Sequence, residues 1–420
     1  MIAVVYRLLL WVMFPLFLFY TVIVGIRYRS FRYILQRFGI RLPALPERPL
    51  WIHCASVGEL NTALLFLDQW VAKYPEDRIL VTTTTISSAR VFESKVRHHM
   101  QHCYLPLDYI FLVKHFLKTL RPRAALIMET EVWFNLFHSC AKFHLPTVII
   151  NARLSKRTAN ANVWVRRYYE QSLMLLKVIY AKSERDRETY IQAGAPPWKI
   201  KTLGNLKYAA SFNEYLPDLI NKPYILAAST HDDEELQIAR VWQRTEKRNY
   251  VLVIAPRHPQ RAEKILNALQ SNHIRADYYH RARAIGDGDI ILYNRIGQLP
   301  QLIKHARLVF LGGSLVNKGG HNILEAAMLG TPQVTGFYLD NIIEEAQALN
   351  EMGGLIIIDD AQALADIFGN VIKQPDYYQK NAEAAKNYLS RYADIAQRYI
   401  AELESLDFQP PLLMRGNEGE

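Results

Sequence analysis

Cysteine is scarce in this 420-residue chain: Cys54, Cys103 and Cys140 are its three thiols. Three thiols at wide spacings build neither a disulfide framework nor a zinc site, and they read as reduced side chains of a protein facing the cytosol. Glycine and proline number only 19 each, which excludes a collagen-like or low-complexity chain. With 50% hydrophobic and 21% charged residues, disorder is excluded too, and the length suffices for two or three domains with real cores. Neither GxGxxG nor GxxxxGK followed by Ser or Thr occurs, so hydride transfer and P-loop kinase chemistry lose their usual support. Acid is nearly missing from the N-terminus. Residues 1–50 hold seven arginines against Glu47 alone, so +6 of the net +10 lies in the first eighth of the chain.

Charge of either sign is absent from Leu8 to Ile26, 19 residues between Arg7 and Arg27. A helix needs roughly 20 apolar residues to cross a bilayer, so the stretch predicts a membrane helix, with residues 1–28 as an anchor. Arg27, Arg29, Arg32, Arg37 and Arg41 follow, interleaved with Tyr28, Phe31, Tyr33 and Phe38. By the positive-inside rule the body after such a helix stays on the cytoplasmic side of the inner membrane. A cleaved signal peptide fails for want of a small-residue cleavage site. A helix lying flat in the interface is the other reading, favoured by Pro15 and the basic, aromatic follow-on, so single-pass and monotopic attachment both stay open.

After the proline-rich segment 43–49, short apolar runs alternate with helical stretches, the pattern of βαβ units and parallel strands. Strands are predicted at Leu50–Ile52, Ile79–Thr82, Ala124–Met128, Thr147–Ile150 and Val178–Ala181. A second series follows at Ile225–Ala228, Tyr250–Ile254, Ile290–Tyr293, Leu308–Phe310 and Gln333–Val334. The reading is α/β, with two Rossmann-like doubly wound domains, 29–212 and 213–408, joined by a hinge near 209–222. A long helical stretch at 374–405 closes the second domain, and the tail 409–420 is expected to be mobile. Ligands of such domains bind in a cleft at the strand carboxyl ends.

Two patterns are weak. His98 and His102 are placed on one helical face beside Cys103, a spacing able to hold a metal but better read as plain helix. Asp287-Gly288-Asp289 resembles an acidic metal pair, yet its central glycine before a strand favours a turn.

The stronger signals lie where strands end. His53-Cys54-Ala55-Ser56-Val57-Gly58-Glu59 follows the first strand. At such a position Glu59 serves equally as a base for a sugar hydroxyl or as a carboxylate complementing the helix dipole. Glu129-Thr130-Glu131-Val132-Trp133 puts two carboxylates and a tryptophan at another strand end. Asn151-Ala152-Arg153-Leu154-Ser155 and Gly204-Asn205-Leu206-Lys207 follow, and a lysine here can balance charge on a departing phosphate. In the second half come Ser229-Thr230-His231, Pro256-Arg257-His258-Pro259, Gly312-Gly313-Ser314 and Gly320-His321-Asn322-Ile323-Leu324-Glu325. Glycine loops opening a helix present N–H groups to a phosphate, Arg257 adds a charged fork, and Glu325 is placed to accept from ribose hydroxyls.

Together these motifs resemble one family, the 3-deoxy-D-manno-octulosonate (Kdo) transferases of lipid A assembly. The resemblance rests on HCASVGE at 53–59, ETEVWFN at 129–135, NARLSKRT at 151–158, GNLK at 204–207, ASTH at 228–231, APRHPQR at 255–261 and GGSLVNKGGHNILEAA at 312–327. The motifs run in family order over nearly the whole chain after the anchor. The resemblance implies a GT-B fold with CMP-Kdo in the C-terminal domain and a lipid A precursor (lipid IVA) approaching the N-terminal domain from an anionic membrane. It implies Glu59 as catalytic base, Glu129 and Lys207 as supporting charges, and CMP binding by Pro256, Arg257, His258 and the run Gly320, His321, Asn322, Ile323, Leu324 and Glu325. Gly297, Gln298 and Leu299 fall in a further CMP segment, where Asn294 and Gln298 replace the family's usual acids and remove two charges. Phe134 stands where the family often has proline. Ser56, Gly58, Glu131, Arg153, Ser229, Thr230 and Ser314 are further substrate-contact candidates. No metal and no cofactor is required: CMP-Kdo is the donor substrate.

Two rival readings are a GT-B transferase using another nucleotide sugar on a lipid-linked acceptor, and a non-catalytic binding protein on the same fold. Intact Glu59, Arg257 and Glu325 argue against the second. Nucleic acid is not expected as a partner, because the positive charge sits beside the apolar N-terminal stretch.

Overall fold

The computed structural model describes residues 2–45, 48–95, 99–155, 158, 161–209, 215–279 and 285–408. The predicted tail 409–420, His98, and parts of the proline-rich segment and hinge lie outside them. The chain divides into two units, Met1–Ala209 with Asp394–Glu420, and Ala210–Ala393.

In the first unit seven parallel strands form one sheet: β1 (Leu50–Cys54), β2 (Ile79–Thr83), β3 (Met100–Tyr104), β4 (Ala124–Met128), β5 (Thr147–Ala152), β6 (Val178–Ala181) and β7 (Ile200–Thr202). Their order is β3-β2-β1-β4-β5-β6-β7. β1, β2, β4 and β5 are buried along their whole lengths, as expected of strands covered by helices on both faces. Trp51, Phe116, Ile127, Phe137 and Ile149 are at the centre of the core. The order reverses between β1 and β4, so the connections there diverge and the two strand ends open a crevice. The loops at Ala55 and Glu129 leave from that point.

The second unit repeats the scheme with β8 (Tyr224–Thr230), β9 (Val251–Pro256), β10 (Asp277–Tyr278), β11 (Ile290–Leu292), β12 (Leu308–Leu311), β13 (Gln333–Thr335) and β14 (Ile356–Ile357). Its order is β10-β11-β9-β8-β12-β13-β14, again parallel throughout. Here the switch lies between β8 and β12, where Ser229-Thr230-His231 and Gly312-Gly313-Ser314 leave the sheet.

All ten predicted strands are present, and four others, β3, β7, β10 and β14, are additional. His102 and Cys103 lie in β3, not on a helix, and His102 is buried with Nε2 at 2.9 Å from the Thr83 hydroxyl. Asp287–Asp289 is a turn, in which the Asp289 carboxylate accepts from the Gly286 N–H at 2.6 Å. The closing helical stretch is two helices, Gln379–Ser390 and Ile395–Glu404. The second belongs to the first unit, which corrects the 213–408 boundary: the chain returns to the domain it began in.

The single N-terminal membrane helix also needs correction. Among the described residues no single helix is long and apolar enough to cross a membrane. The apolar stretch is instead α1 (Ile2–Val12) and α2 (Phe14–Arg27), bent by 52° and able to span only as a pair by length and composition. Pro15, in the first turn of α2, lacks the N–H that would continue α1. Both helices are docked on the first unit. Tyr6 donates to Asp108 at 2.7 Å, Arg7 to Asn135 at 3.0 Å, and Tyr109 to the Leu10 carbonyl at 2.6 Å. Their other face carries Val4, Leu8, Val12, Phe19 and Ile26, each 58–76% exposed.

One buried ion pair ties the ends of the first unit together. Arg123 donates to both Asp77 oxygens, at 2.9 and 2.6 Å, and its Nε reaches the Phe408 carbonyl at 3.2 Å. Trp70 completes the set through Nε1–H to Asp77 at 2.7 Å. Asp77→Ala leaves the guanidinium buried without its partner and is expected to destabilise the unit by about 3–5 kcal/mol. The check is a lower denaturant midpoint followed by tryptophan fluorescence.

Candidate active site

Glu59 sits where β1 gives way to α4 (Val57–Lys73), and the local sequence explains how. Ser56 is the N-cap, its hydroxyl accepting from the Glu59 N–H at 3.2 Å. Glu59, three residues on, reaches back to the Ala55 N–H at 2.8 Å and accepts from the Ser56 hydroxyl at 3.1 Å. This is a capping box shifted by one residue, so the helix-cap reading and the crevice reading describe the same side chain. Only 7% of Glu59 is exposed. Burial pushes its carboxyl up to about 7, against the opposing Ala55 N–H, with the charges of Glu129 and Glu131 adding to the rise and the Ser56 hydroxyl opposing it. Its ionised form is held in place yet poised near neutrality, as a general base requires.

Glu129 and Asn151 end neighbouring strands in the left-handed region, with φ of 53° and 51°, a conformation costly for residues with a Cβ. Asn151 faces both ways. Its amide approaches Glu129 at 3.5 Å and its oxygen accepts the Leu206 N–H at 2.9 Å. Tyr399, on the returning helix, donates to the Gly204 carbonyl at 3.0 Å. The GNLK segment is thereby fixed from two sides, and the short helical turn Leu206–Ala209 packs on α4 with Lys207 half-buried. Glu131 accepts from the Trp133 indole, and its carboxyl is raised by burial against that bond and the Arg37 charge. Among the described residues the contacts of Arg153 are through its main chain, accepting from Tyr190 and donating to Glu129. Ser56 and Gly58 are exposed at the helix start. His53, in the same motif, is fully buried, bonded through Nδ1 to Thr82 and pushed down to about 3 chiefly by burial; it is a core residue.

In the second unit the glycine loop is organised around Glu234, a residue the sequence reading did not single out. Its fully buried carboxylate accepts four main-chain N–H groups, from His231 at 2.9 Å, Gly313 at 2.7 Å, Ser314 at 3.0 Å and Leu315 at 2.9 Å. The N–H groups expected to receive a phosphate at Gly313 and Ser314 are therefore taken by the protein itself. The Ser314 hydroxyl is taken as well, donating to the Leu311 carbonyl and accepting from Gly336. Gly312 is required because a Cβ there would lie 2.6 Å from the Thr230 backbone.

Beside this loop several predicted residues converge. His231 and His321 meet Nε2 to Nε2 at 2.7 Å with rings stacked 4.9 Å apart, and His258 stands edge-on to His231 at 6.0 Å. In this contact one ring nitrogen donates its N–H and the other accepts, the tautomers deciding which. Burial, then the Arg257 charge, pushes His321 down to about 4. Asn322 donates to Glu325 at 3.0 Å and accepts the Leu324 N–H at 3.1 Å; Glu325 is raised by burial and lowered by Asn322 and Arg257. Arg257 itself is exposed and makes no ion pair among the described residues, whereas Arg261 is held by Glu235 at 3.0 Å and Asp232 at 3.2 Å. Pro256 and Ile323 are buried supports, and Gly320 closes the loop through its N–H to the Gly313 carbonyl at 2.8 Å. Ser229 is left-handed at the bulge ending β8, and Thr230 donates to Glu235 at 3.0 Å. Gly297 and Gln298 lead into the helix Leu299–His305, with the Tyr293 hydroxyl donating to Gln298, and among the described residues no hydrogen bond joins them to Arg257, His321 or Glu325.

Two doubly wound parallel-sheet units with charged strand-end loops have the architecture of the GT-B type. A glycosyltransferase from Rickettsia africae has this fold, with a TM-score of 0.59 at 13% identity, covering 87% of this chain and 100% of that one. The family profile described as 3-Deoxy-D-manno-octulosonic-acid transferase (kdotransferase) matches residues 32–210. The 3-deoxy-D-manno-octulosonic acid transferase of Haemophilus influenzae is 28% identical over 411 residues, 94% of this chain and 96% of that protein. That of Rickettsia bellii is 29% identical over 94% of this chain and 99% of its own. Over most of its length the chain is similar to the Kdo transferases.

Two outcomes are expected. Ser56→Ala removes a hydrogen bond to the ionised Glu59 carboxyl, so the rise of kcat/KM with pH, centred near 7 in the parent, moves to higher pH; an unmoved midpoint contradicts the assignment. Glu234→Ala strands four main-chain donors and is expected to cost about 3 kcal/mol or more, read as a lower unfolding midpoint together with faster proteolysis at residues 312–320.

Proposed function

We propose that the chain is an inverting glycosyltransferase that moves Kdo from CMP-Kdo to a lipid A precursor, lipid IVA, in lipopolysaccharide core assembly. The observation that carries this reading is Glu59, a carboxylate fixed by a main-chain N–H and a hydroxyl and tuned to about 7. Its free oxygen lone pairs accept the proton of an acceptor sugar hydroxyl as that oxygen attacks the anomeric carbon of Kdo. The bond from that carbon to the phosphate oxygen breaks, and CMP departs with the electron pair. Glu129 is a supporting charge, and Lys207 is a cation of the kind that balances developing negative charge. The second unit's exposed Arg257, the histidine pair and Glu325 supply a fork for phosphate and acceptors for ribose hydroxyls. No step calls on a metal ion.

Membrane attachment is part of the same proposal. The docked, bent helices α1 and α2 leave a continuous apolar face outward, and Arg27, Arg29 and Arg41 flank it exposed. This suits a monotopic enzyme held at an anionic cytoplasmic leaflet, where each such arginine adds about 1 kcal/mol of attraction.

Glu59→Ala is expected to lower transfer by at least about 10²–10⁴-fold while CMP affinity, measured by calorimetry, stays within twofold of the parent. Retained transfer removes Glu59 from the role of base.

A further inference from the structure

A recess of ≈ 430 Å³ lies at the amino ends of β1, β4 and β5, the end of the first sheet opposite Glu59 and Glu129. Arg48 precedes β1, Arg121 and Pro122 precede β4, and His144 and Leu145 precede β5. Leu117 and Lys118 come from the helix Ile110–Leu120. The volume is that of a small-molecule site rather than of a bare ion.

Its ionisable groups are all basic. Arg48, Lys118, Arg121 and His144 line it, and among the described residues no acid does. All four are exposed, and none makes an ion pair with another described residue. Basic residues near helix carboxyl ends ordinarily complement the dipole, and Arg121 and His144 follow the helices Ile110–Leu120 and Phe134–Lys142. Here the main chain answers those ends by itself. The Arg121 N–H donates to the Leu117 carbonyl at 3.0 Å, and the Phe143, His144 and Leu145 N–H groups donate to Ser139, Ala141 and Cys140 at 2.9, 3.1 and 2.9 Å. Among the described residues, Arg121 is the one basic side chain of the four that bonds a helix carbonyl, through Nε to Lys118 at 3.3 Å. Its Nη groups stay available.

The backbone argues that these side chains are wanted. Arg121 and His144 are left-handed, with φ of 45° and 53°, at helix ends where glycine is the favoured residue. A side chain there is kept at a conformational cost, and both line the recess.

The walls select the ligand. Two guanidinium groups and an ammonium match phosphate. Leu117, Pro122 and Leu145 are buried apolar walls, and Phe143, 38% exposed, offers a ring for a flat heterocycle. Position separates a soluble ligand from a lipid. Both helices have their amino ends against the N-terminal pair, through Tyr109 to Leu10 and Asn135 to Arg7. The recess is at their carboxyl ends, about 16 Å further along an 11-residue helix, which favours a soluble phosphate ester over a headgroup held beside α1 and α2.

We infer that this recess binds a soluble nucleotide, with its phosphates on Arg48, Lys118 and Arg121 and its base against Phe143, apart from the strand-end loops of the candidate active site. The inference stands independently of the transferase reading.

The probe is adenosine 5′-diphosphate, titrated by calorimetry into the full chain in detergent. Binding is expected, with inorganic pyrophosphate at least about tenfold weaker and adenosine weaker still. Arg121→Gly suits the left-handed backbone, so the unfolding midpoint is expected to hold or rise, while the diphosphate binds at least about tenfold more weakly. Arg257→Ala, in the second unit, is expected to leave that affinity unchanged. Absence of binding at millimolar probe, an affinity no better than that of pyrophosphate, or loss with Arg257→Ala in place of Arg121→Gly overturns the assignment. Unchanged affinity in Arg121→Gly also overturns it: a lowered midpoint then makes the residue a helix cap, and weaker sedimentation with phosphatidylglycerol vesicles gives the recess to a headgroup. Where midpoint and affinity fall together, Phe143→Ala decides: weaker diphosphate binding with pyrophosphate unchanged upholds the site, and unchanged diphosphate binding overturns it.

Discussion

Main-chain N–H groups at the switch points of the two parallel sheets are the constraint on which the rest of the structure depends. Diverging connections leave donors there without a strand partner, and buried donors must be satisfied. Each unit answers with a carboxylate from the first turn of the following helix. Glu234 takes four N–H groups and is wholly committed to holding its loop. Glu59 takes one N–H and one hydroxyl, enough to orient it but not to saturate it. The difference in saturation separates a structural carboxylate from a reactive one.

The same comparison explains the electrostatics of the first unit. Two hydrogen bonds to ionised Glu59 favour its ionisation, yet burial and the neighbouring Glu129 and Glu131, which oppose it, prevail. A carboxyl at about 7 is half ionised at neutral pH, and the proton it accepts is returned easily. Removing Glu129 or Glu131 would weaken the base by letting it ionise too readily, so their part is to set the field rather than to touch the proton.

Much of this was legible in the sequence, for reasons that mark the limit of such reading. The central strands showed because both of their faces are buried and the runs are continuously apolar. The edge strands β3, β7, β10 and β14 did not, since they are two to five residues long and all but β14 carry a polar residue, His102, Lys201 or Asp277. Pro15 announced the break between α1 and α2, but an uncharged run of 19 residues masks a bend that proline chemistry causes. The return of Ile395–Glu404 to the first unit left no local signal, because periodicity defines an apolar face and not the surface it meets. At the site, Glu59 was recognisable by its motif. Glu234 looked like any acid in a first helical turn, and Asn151 was visible only as part of a motif whose geometry the structure supplies.

The central claim is transfer of Kdo to a lipid acceptor, and mass spectrometry of a single reaction tests it most directly. Detergent-solubilised protein is mixed with a tetraacylated lipid A precursor and CMP-Kdo generated in place. The account predicts a mass gain of one or more Kdo units on the lipid, and the spectrum counts them. An unchanged lipid mass, from protein that is folded and binds CMP, would contradict it.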